Sequence, residues 1–151
     1  MGTLYAEDIA VGDEFPFGSH TVTKEEIVAF AEQFDPQPFH TDEAAAAESM
    51  FGGLVASGWH VVSLTNRMLT EDVFSKTALQ GGHGTDKVRF HTPTRPGDTL
   101  SGVVEIVDVD DPESRPHHQD ISFGVTTRNQ DGEDVLTMIN HGMVARRESA
   151  E

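Results

Sequence analysis

The sequence predicts an α+β fold in which an antiparallel β-sheet wraps around one long central helix. Helical periodicity dominates the first half of the chain and ends in a long apolar segment. The second half contains four runs of alternating β-branched and aromatic residues, separated by turn signals. With 151 residues and no repeat or linker, the chain is expected to form one domain with a sizeable core.

The first expected elements are a strand and a helix. The run DEFPFGSHTV, residues 13–22, has the composition of a strand. Thr23 and Glu26 then form a capping-box pattern, which predicts the start of a helix. Because Pro36 lacks an N–H and biases Asp35 away from helical geometry, this helix should end there. Its apolar face is predicted to contain Ile27, Phe30, Ala31 and Phe34.

A second, longer helix is expected to begin near Ser57 and to end around Thr70 to Asp72. Before it, Asp42 can cap a short helical turn in the segment EAAAAES. The long segment has apolar residues on more than one face, which is typical of a helix inside a core. These residues are Leu54, Val55, Trp59, Val61, Val62, Leu64, Met68 and Leu69.

Four consecutive antiparallel strands should follow. They are predicted in DKVRFHTPT, DTLSGVVEIVDVD, HQDISFGVTTRN and DVLTMINHGMVARR, with turns at RPGD, DDPESRP and NQDGED. The glycine-rich QGGHGTD lacks the Lys-Ser/Thr ending of a phosphate loop, so we expect it to connect the helix to the first of these strands. An antiparallel sheet around one helix buries both, and this arrangement is the hot-dog fold. We therefore predict a single hot-dog domain over residues 1–151.

The charge of the chain excludes some partners. The net charge is −16, from 26 acidic and 10 basic residues, and only Lys24, Lys76 and Lys87 are lysines. Such a field repels nucleic acid and anionic membranes. An acidic, lysine-poor surface also suits concentrated salt, in which the screening length falls to about 3 Å near 1 M. The composition fits both a halophilic host and an ordinary acidic cytosolic protein.

Further features favour a soluble cytoplasmic protein. The chain has no cysteine, which excludes disulfides and thiolate metal sites. Its N-terminus is acidic and lacks the basic and apolar regions of a secretory signal. No window approaches the roughly 18 apolar residues of a membrane span.

Asp35 and His40 are the candidate catalytic residues. A carboxylate and an imidazole that converge on one water can deprotonate it and deliver a proton elsewhere. Pro36 and Pro38 would stiffen the loop between them. The spacing alone slightly favours a structural interpretation, in which Asp35 bonds loop amides and His40 fills space.

The segment FAEQFDPQPFHTDEAAAAESMFGGLVASGWH resembles the hydratase-2 motif of the MaoC-like (R)-specific enoyl-CoA hydratases. VRFHTPTRPGDTL is similar to a strand signature of that family, and YAEDIAVGDEF followed by TVTKEEIVAFA is similar to its opening. The resemblance covers nearly the whole chain. It implies a hot-dog fold, a dimer, and Asp35 and His40 as the catalytic pair.

The resemblance also implies a substrate-binding role for Ser57 and Gly58, where a backbone N–H would bind the thioester oxygen. A helix N-terminus offers unpaired donors and partial positive charge, which suit an enolate-like oxygen. Gly58 would permit close approach of the substrate because it lacks a Cβ. Ser57 also fits an ordinary N-cap, and both roles can coexist.

The chain departs from the family pattern at three positions. Phe34 replaces a glycine, Gln37 replaces an asparagine, and Ser57-Gly58 replaces a more usual His-Gly. Gln37 could still hold the loop, but with different partners. Trp59 and His60 could narrow the acyl pocket, although a core position for Trp59 is favoured.

Other histidines and the scarce basic residues have less specific interpretations. His117 and His118 are expected in a solvated loop, and His91 and His141 as satisfied histidines in strands. Lys87, Arg89 and Arg95 fit contacts with coenzyme A phosphates and fit solvated surface charges equally.

The resemblance implies reversible hydration of a trans-2-enoyl-CoA to the (R)-3-hydroxyacyl-CoA, by a water held between Asp35 and His40. No metal or redox cofactor is expected, and coenzyme A enters only as part of the substrate. A hot-dog thioesterase and a non-catalytic acyl-CoA-binding protein are the alternatives. Because a hot-dog monomer leaves a sheet edge exposed, a homodimer or higher homo-oligomer is expected.

Overall fold

The computed structural model describes residues 2–111 and 115–147, which form one antiparallel sheet with helices packed against one face. The sheet order is β1-β3-β4-β5-β2. The strands are β1 (Glu14–Thr21), β2 (Leu79–Phe90), β3 (Thr99–Asp110), β4 (His118–Arg128) and β5 (Asp134–Ala145). The helices are α1 (Lys24–Phe34), α2 (Pro38–Thr41), α3 (Glu43–Ala47) and α4 (Gly58–Asp72). The prediction of an α+β hot-dog arrangement is confirmed.

The ends of the helices follow the capping signals. The Thr23 hydroxyl accepts the Glu26 N–H, and the Glu26 carboxylate accepts the Thr23 N–H, so the capping box of α1 is complete. Asp42 accepts the N–H groups of Ala44 and Ala45 at the start of α3. The start of α4 at Gly58 and its end at Asp72 agree with the prediction.

The core lies between α4 and the inner face of the sheet. From α4, Val61, Leu64, Met68 and Leu69 are buried. They meet the buried side chains of β3, β4 and β5, which include Val104, Ile106, Ile121, Phe123, Val125, Leu136, Met138 and Val144. One polar contact crosses this core, because the hydroxyls of Thr65 and Thr127 lie 2.8 Å apart and satisfy each other.

Two predictions about apolar surfaces were wrong. The side chain of Phe34, placed on the buried face of α1, is 65% exposed. Trp59, favoured as a core residue, is 63% exposed. α4 is also buried on one side only, since Ser63, Asn66 and Arg67 face solvent. Apolar residues on several faces of α4 predicted that the whole helix is buried. The sheet covers only one side of α4, so apolar residues on its outer side are exposed.

The edge strand β2 is longer at its start than predicted. The segment QGGHGTD, expected to be a connection, lies within β2, and the strand ends at Phe90, before His91. The pairing of β2 with β5 is irregular at three points, two of them next to Gly81 and Gly84. Glycines of this kind mark bulges in an edge strand as readily as they mark a loop. His118 is the first residue of β4, in agreement with the predicted strand HQDISFGVTTRN and not with the loop expected for His117 and His118.

Two other predictions concern the turn at DDPESRP and the absence of a membrane-spanning helix. The turn expected at DDPESRP includes residues 112–114, which lie outside the described residues. Within the described part of the chain, no helix combines the length and apolar character needed to cross a bilayer.

Candidate active site

Asp35 is held at the end of α1 by the proline that follows it. Its N–H donates to the Ala31 carbonyl at 2.8 Å, and its φ of −157° and ψ of 68° leave the helical region. Because Pro36 disfavours helical geometry for the residue before it, the chain turns at this point. The Asp35 side chain therefore points away from α1 and towards the start of α4, where it meets Ser57.

The Asp35 carboxylate has three polar neighbours. The Ser57 hydroxyl donates to Oδ2 at 2.7 Å, and the Gln37 amide donates to Oδ1 at 2.7 Å. Nε2 of His40 lies 3.4 Å from Oδ2. Burial raises the pKa of Asp35, but the hydrogen bonds from Ser57 and Gln37, with the charge of His40, outweigh it and hold the pKa below the ordinary 3.8. Asp35 is thus an ionised carboxylate at neutral pH.

His40 lies on the short helix α2, where an open loop was expected. Pro38 occupies the first position of α2, where the missing N–H costs no hydrogen bond. His40 is buried, and its Nδ1 lies 2.7 Å from the Val55 carbonyl. Since a carbonyl only accepts, Nδ1 must carry a proton, which leaves Nε2 to face Asp35. Nε2 can then accept a proton, or donate one when the ring is charged.

Ser57 and Gly58 form the start of α4. Ser57 is fully buried, and its hydroxyl also accepts the Trp59 N–H at 3.2 Å, so it caps the helix. Among the hydrogen bonds of the described residues, none uses the Gly58 N–H as donor. The first N–H groups of a helix lack intrahelical acceptors and carry partial positive charge. The Gly58 N–H is thus a free donor beside the Asp35–His40 pair.

These groups line one cavity of about 350 Å³. Asp35, Gln37, His40 and Gly58 lie on it with Trp59. The remaining lining residues are mostly apolar and are Phe39, Phe51, Val55, Ala56, Val61, Phe90, His91, Thr92, Pro93, Thr94 and Val135. A carboxylate, an imidazole and a free backbone donor in a mainly apolar cavity can activate water and stabilise an oxyanion.

The other candidates lie elsewhere. Lys87, Arg89 and Arg95 do not line this cavity, and the Arg95 guanidinium donates to the Phe51 carbonyl at 2.6 Å. His60, considered for the acyl pocket, is buried against the Phe30 ring and is not part of the cavity lining. His91 is satisfied by the Thr137 hydroxyl at 2.8 Å, as expected, although it lies just beyond β2.

His141 is also satisfied, by Asp86 at 2.7 Å and by the Ser122 hydroxyl at 2.9 Å, on the outer face of the sheet. In residues 2–111 and 115–147, no group of three or more histidine, aspartate or glutamate side chains is arranged to hold a metal ion.

Comparison with protein-family models shows which family the chain belongs to. The family model of the MaoC-like domain matches residues 8–129. The chain belongs to the MaoC-like family. A curated relative, the uncharacterized protein YdeM of Bacillus subtilis (strain 168), is 31% identical over 102 residues, covering 68% of this chain and 72% of YdeM. The extent of the MaoC-like domain over the whole of residues 1–151 stays a prediction.

Solved structures agree with this MaoC-like assignment. The MaoC-like dehydratase from Rhodospirillum rubrum superposes with a TM-score of 0.89 at 42% identity, covering 95% of this chain and 98% of that one. An (R)-hydratase from A. caviae superposes with a TM-score of 0.73 at 23% identity over 90% and 97% of the two chains, which shows a shared fold. The MaoC-like family supports a hydratase or dehydratase activity in broad terms.

Sequence reasoning missed several parts of this MaoC-like cavity. The Val55 carbonyl that orients His40 is a backbone group, which a side-chain motif does not reveal. Phe90 reaches the cavity from the far end of β2, 55 residues beyond Asp35. Trp59 had a detectable signal, because it lies directly after Ser57-Gly58, but the apolar pattern favoured the core.

Proposed function

We propose that this protein catalyses the reversible hydration of a trans-2-enoyl-CoA to the (R)-3-hydroxyacyl-CoA, or the reverse dehydration. One observation carries the proposal: Asp35, His40 and the unpaired N–H of Gly58 lie on a single, mainly apolar cavity. The first two can act on a water, and the third can act on a thioester oxygen. The MaoC-like family and the similarity to a MaoC-like dehydratase support the same reaction class.

In the proposed mechanism, Asp35 and His40 have different roles. We propose that the cycle starts from an ionised Asp35, whose hydrogen bonds hold its pKa below 3.8, and a protonated His40. In hydration, Asp35 takes a proton from the water while the water oxygen bonds to C3 of the substrate. The imidazolium of His40 then delivers its proton to C2. The proton on Asp35 returns to His40 directly or through solvent, which restores the pair.

The Gly58 N–H supplies the electrostatic part of the mechanism. As the water oxygen bonds to C3, the C2=C3 electrons move towards the thioester and negative charge develops on its oxygen. A fixed N–H at a helix N-terminus stabilises this charge without reorganisation, and removing such a donor typically costs about 10²–10³ in kcat. The conjugated thioester is itself the electron acceptor. We therefore propose that no metal or redox cofactor takes part and that coenzyme A enters only with the substrate.

The test of this function is turnover of crotonyl-CoA with two parallel readouts. The absorbance of the conjugated enoyl thioester reports hydration, and a thiol reagent reports release of coenzyme A. We expect the conjugated absorbance to fall with no thiol released, and the product to be the (R)-3-hydroxy isomer. Thiol release would establish a thioesterase, in which the activated water attacks the carbonyl carbon. Binding of acyl-CoA with neither signal would establish a non-catalytic binder.

We also propose that the protein assembles as a cytoplasmic homodimer or a higher homo-oligomer. β2 is an edge strand of 12 residues, and in residues 2–111 and 115–147 it has a neighbouring strand, β5, on one side only. Such edges form continuous sheets with a second copy unless they are protected. Light scattering should therefore give at least twice the chain mass of 16.5 kDa. A single 16.5 kDa species across the micromolar range would contradict a dimer.

A further inference from the structure

Two large aromatic side chains are exposed at the same cavity. Trp59 is 63% exposed and Phe90 is 51% exposed, and both line the cavity that holds Asp35 and His40. A single exposed apolar residue is ordinary on a protein surface. Two that share one cavity form an apolar surface beside polar groups, which marks a site for a ligand or a partner.

Phe90 lies directly against the helix N-terminus. A Cβ built on Gly58 would lie 2.5, 2.6 and 2.8 Å from three atoms of the Phe90 ring. These distances are shorter than any ordinary contact, so the ring occupies the space that a side chain at position 58 would need. Trp59 follows Gly58 immediately along α4. Both aromatic residues and Gly58 therefore line the same part of the chain's cavity, with Phe90 in contact with Gly58.

The cavity wall also limits the charge of its occupant. Among the lining residues that the structure describes, none is a lysine or arginine, and the only carboxylate is Asp35. Most of the wall is apolar, with Phe39, Phe51, Val55, Val61 and Val135 among its residues. The volume of about 350 Å³ is near the lower end of the roughly 300–1,000 Å³ found for ligand pockets. These features suit a small, uncharged group.

We propose that Trp59 and Phe90 are specificity-determining residues that contact the acyl-thioester arm of the substrate and admit only uncharged acyl groups. This inference rests on the proposed hydratase function. An acyl group that ends in a second carboxylate would enter a wall without lysine or arginine, in which His40 is already paired with Asp35. It would also approach the ionised Asp35. Both the lost hydration and the like-charge repulsion oppose its binding.

Saturated acyl-CoA thioesters test the inference without turnover. Glutaryl-CoA and 5-methylhexanoyl-CoA have acyl ends of similar shape and share the same coenzyme A, but only the first carries a second carboxylate. Trp59 is the single tryptophan of the chain, so its fluorescence reports events at the cavity mouth. We expect 5-methylhexanoyl-CoA to change this fluorescence saturably, and glutaryl-CoA to bind at least about 100-fold more weakly. Equal affinities, measured by calorimetry, would overturn the inference.

Variants test the two aromatic residues directly. Trp59→Ala and Phe90→Ala should each raise KM for hex-2-enoyl-CoA about tenfold or more, because each removes a large apolar contact, while kcat changes less. Trp59→Phe should recover most of the loss. Val11→Ala removes an exposed apolar group away from the cavity and serves as the control. An unchanged KM in Trp59→Ala and Phe90→Ala, together with conversion of an oligomer to a monomer, would assign these residues to an interface instead.

Gly58→Ala gives an independent test of the contact with Phe90. Alone, the added methyl collides with the Phe90 ring and should weaken acyl-CoA binding. Combined with Phe90→Ala, it should cause little further loss. Additive losses in the double variant would show that the ring does not lie against Gly58 in solution.

The inference and the proposed function fail in different ways. Discrimination between the two saturated thioesters without any hydration of an enoyl-CoA would uphold the inference and contradict the hydratase. Hydration of crotonyl-CoA with equal binding of both saturated thioesters would uphold the hydratase and contradict the inference.

Discussion

The hydroxyl of Ser57 donates a 2.7 Å hydrogen bond to Oδ2 of Asp35, so the N-cap of α4 also holds the carboxylate at the end of α1. The end of α1, which carries Asp35, and the start of α4, which carries the proposed oxyanion donor, are thus joined by one side chain. Ser57 is fully buried, which strengthens this hydrogen bond to a charged group. Its removal should change both proton transfer and the stability of the helix.

Ser57→Ala should lower kcat/KM for crotonyl-CoA roughly 10–100-fold, since a hydrogen bond to a charged group contributes about 1.5–3 kcal/mol. The lost bond normally lowers the pKa of Asp35, so the acid limb of the pH–rate profile should shift upward. The lost cap should also cost about 1 kcal/mol of folding stability. Ser63→Ala, on the exposed side of the same helix, is the control. An acid limb at the wild-type position would contradict this role.

Gln37→Leu should shift the acid limb of the pH–rate profile upward by less than Ser57→Ala does. The Gln37 amide donates to the other carboxylate oxygen, Oδ1 of Asp35, at 2.7 Å, and it lowers the pKa of Asp35 less than Ser57 does. Gln37→Asn tests the departure from the usual family residue, because the shorter side chain must find a different geometry. pH–rate profiles of the two variants and the wild type would make the comparison. A larger shift for Gln37→Leu than for Ser57→Ala would reverse the predicted order.

His60 should make the protein less stable in mild acid. Its ring is buried and stacks on the Phe30 ring, with the two ring centroids 4.7 Å apart. Its Nε2 lies 3.8 Å from the Glu26 carboxylate. The same carboxylate lies 2.9 Å from Nε2 of His20. Burial lowers the pKa of His60 below 6.5, Glu26 opposes this effect, and His20 adds to it. The folded state therefore binds a proton less readily than the unfolded chain does. The stabilisation from neutral His60 is present above pH 6.5 and is lost as the pH falls through the lowered pKa.

His60→Phe should remove this dependence. Urea unfolding of the wild type should lose up to about 1.4 kcal/mol per pH unit just below pH 6.5, and the variant should lose less. His83→Gln, which changes a half-exposed histidine on the outer face of the sheet, is the control. If the free energy of unfolding falls equally steeply with pH in the wild type and in His60→Phe, another group governs stability just below pH 6.5.

The melting temperature should rise as KCl increases from low to multimolar concentration. A net charge of −16 on 151 residues destabilises the compact state by self-repulsion, and salt screens that repulsion. Continued stabilisation above about 1 M, where screening is nearly complete, would favour a halophilic origin. A flat or falling curve would contradict that interpretation and favour an ordinary acidic protein.

Local signals in the sequence predicted most of the fold. Thr23, Glu26, Asp42 and Ser57 cap the helices as expected, because capping depends on residues two or three positions apart. The bounds of β2 were missed, since a bulged edge strand tolerates the glycines that also make loops. The exposure of Trp59 was missed as well, because it depends on which side of α4 the single sheet covers.

The candidate site could be predicted only in part. The short spacing and the family resemblance make Asp35 and His40 candidates, and the resemblance and the helix start do the same for Ser57-Gly58. The contacts that give these residues their properties are long-range, such as the Ser57–Asp35 hydrogen bond across 22 positions. Phe90 comes from a distant strand, and no local pattern connects it with Gly58.

The most direct test of the central claim compares wild type with Asp35→Asn in both binding and turnover. Asparagine preserves the shape of the side chain but cannot accept a proton from water. We expect crotonyl-CoA hydration to fall about 10²–10⁴-fold, while the affinity for butyryl-CoA, followed by Trp59 fluorescence, changes little. Turnover by Asp35→Asn at the wild-type rate would contradict a water held and deprotonated at Asp35.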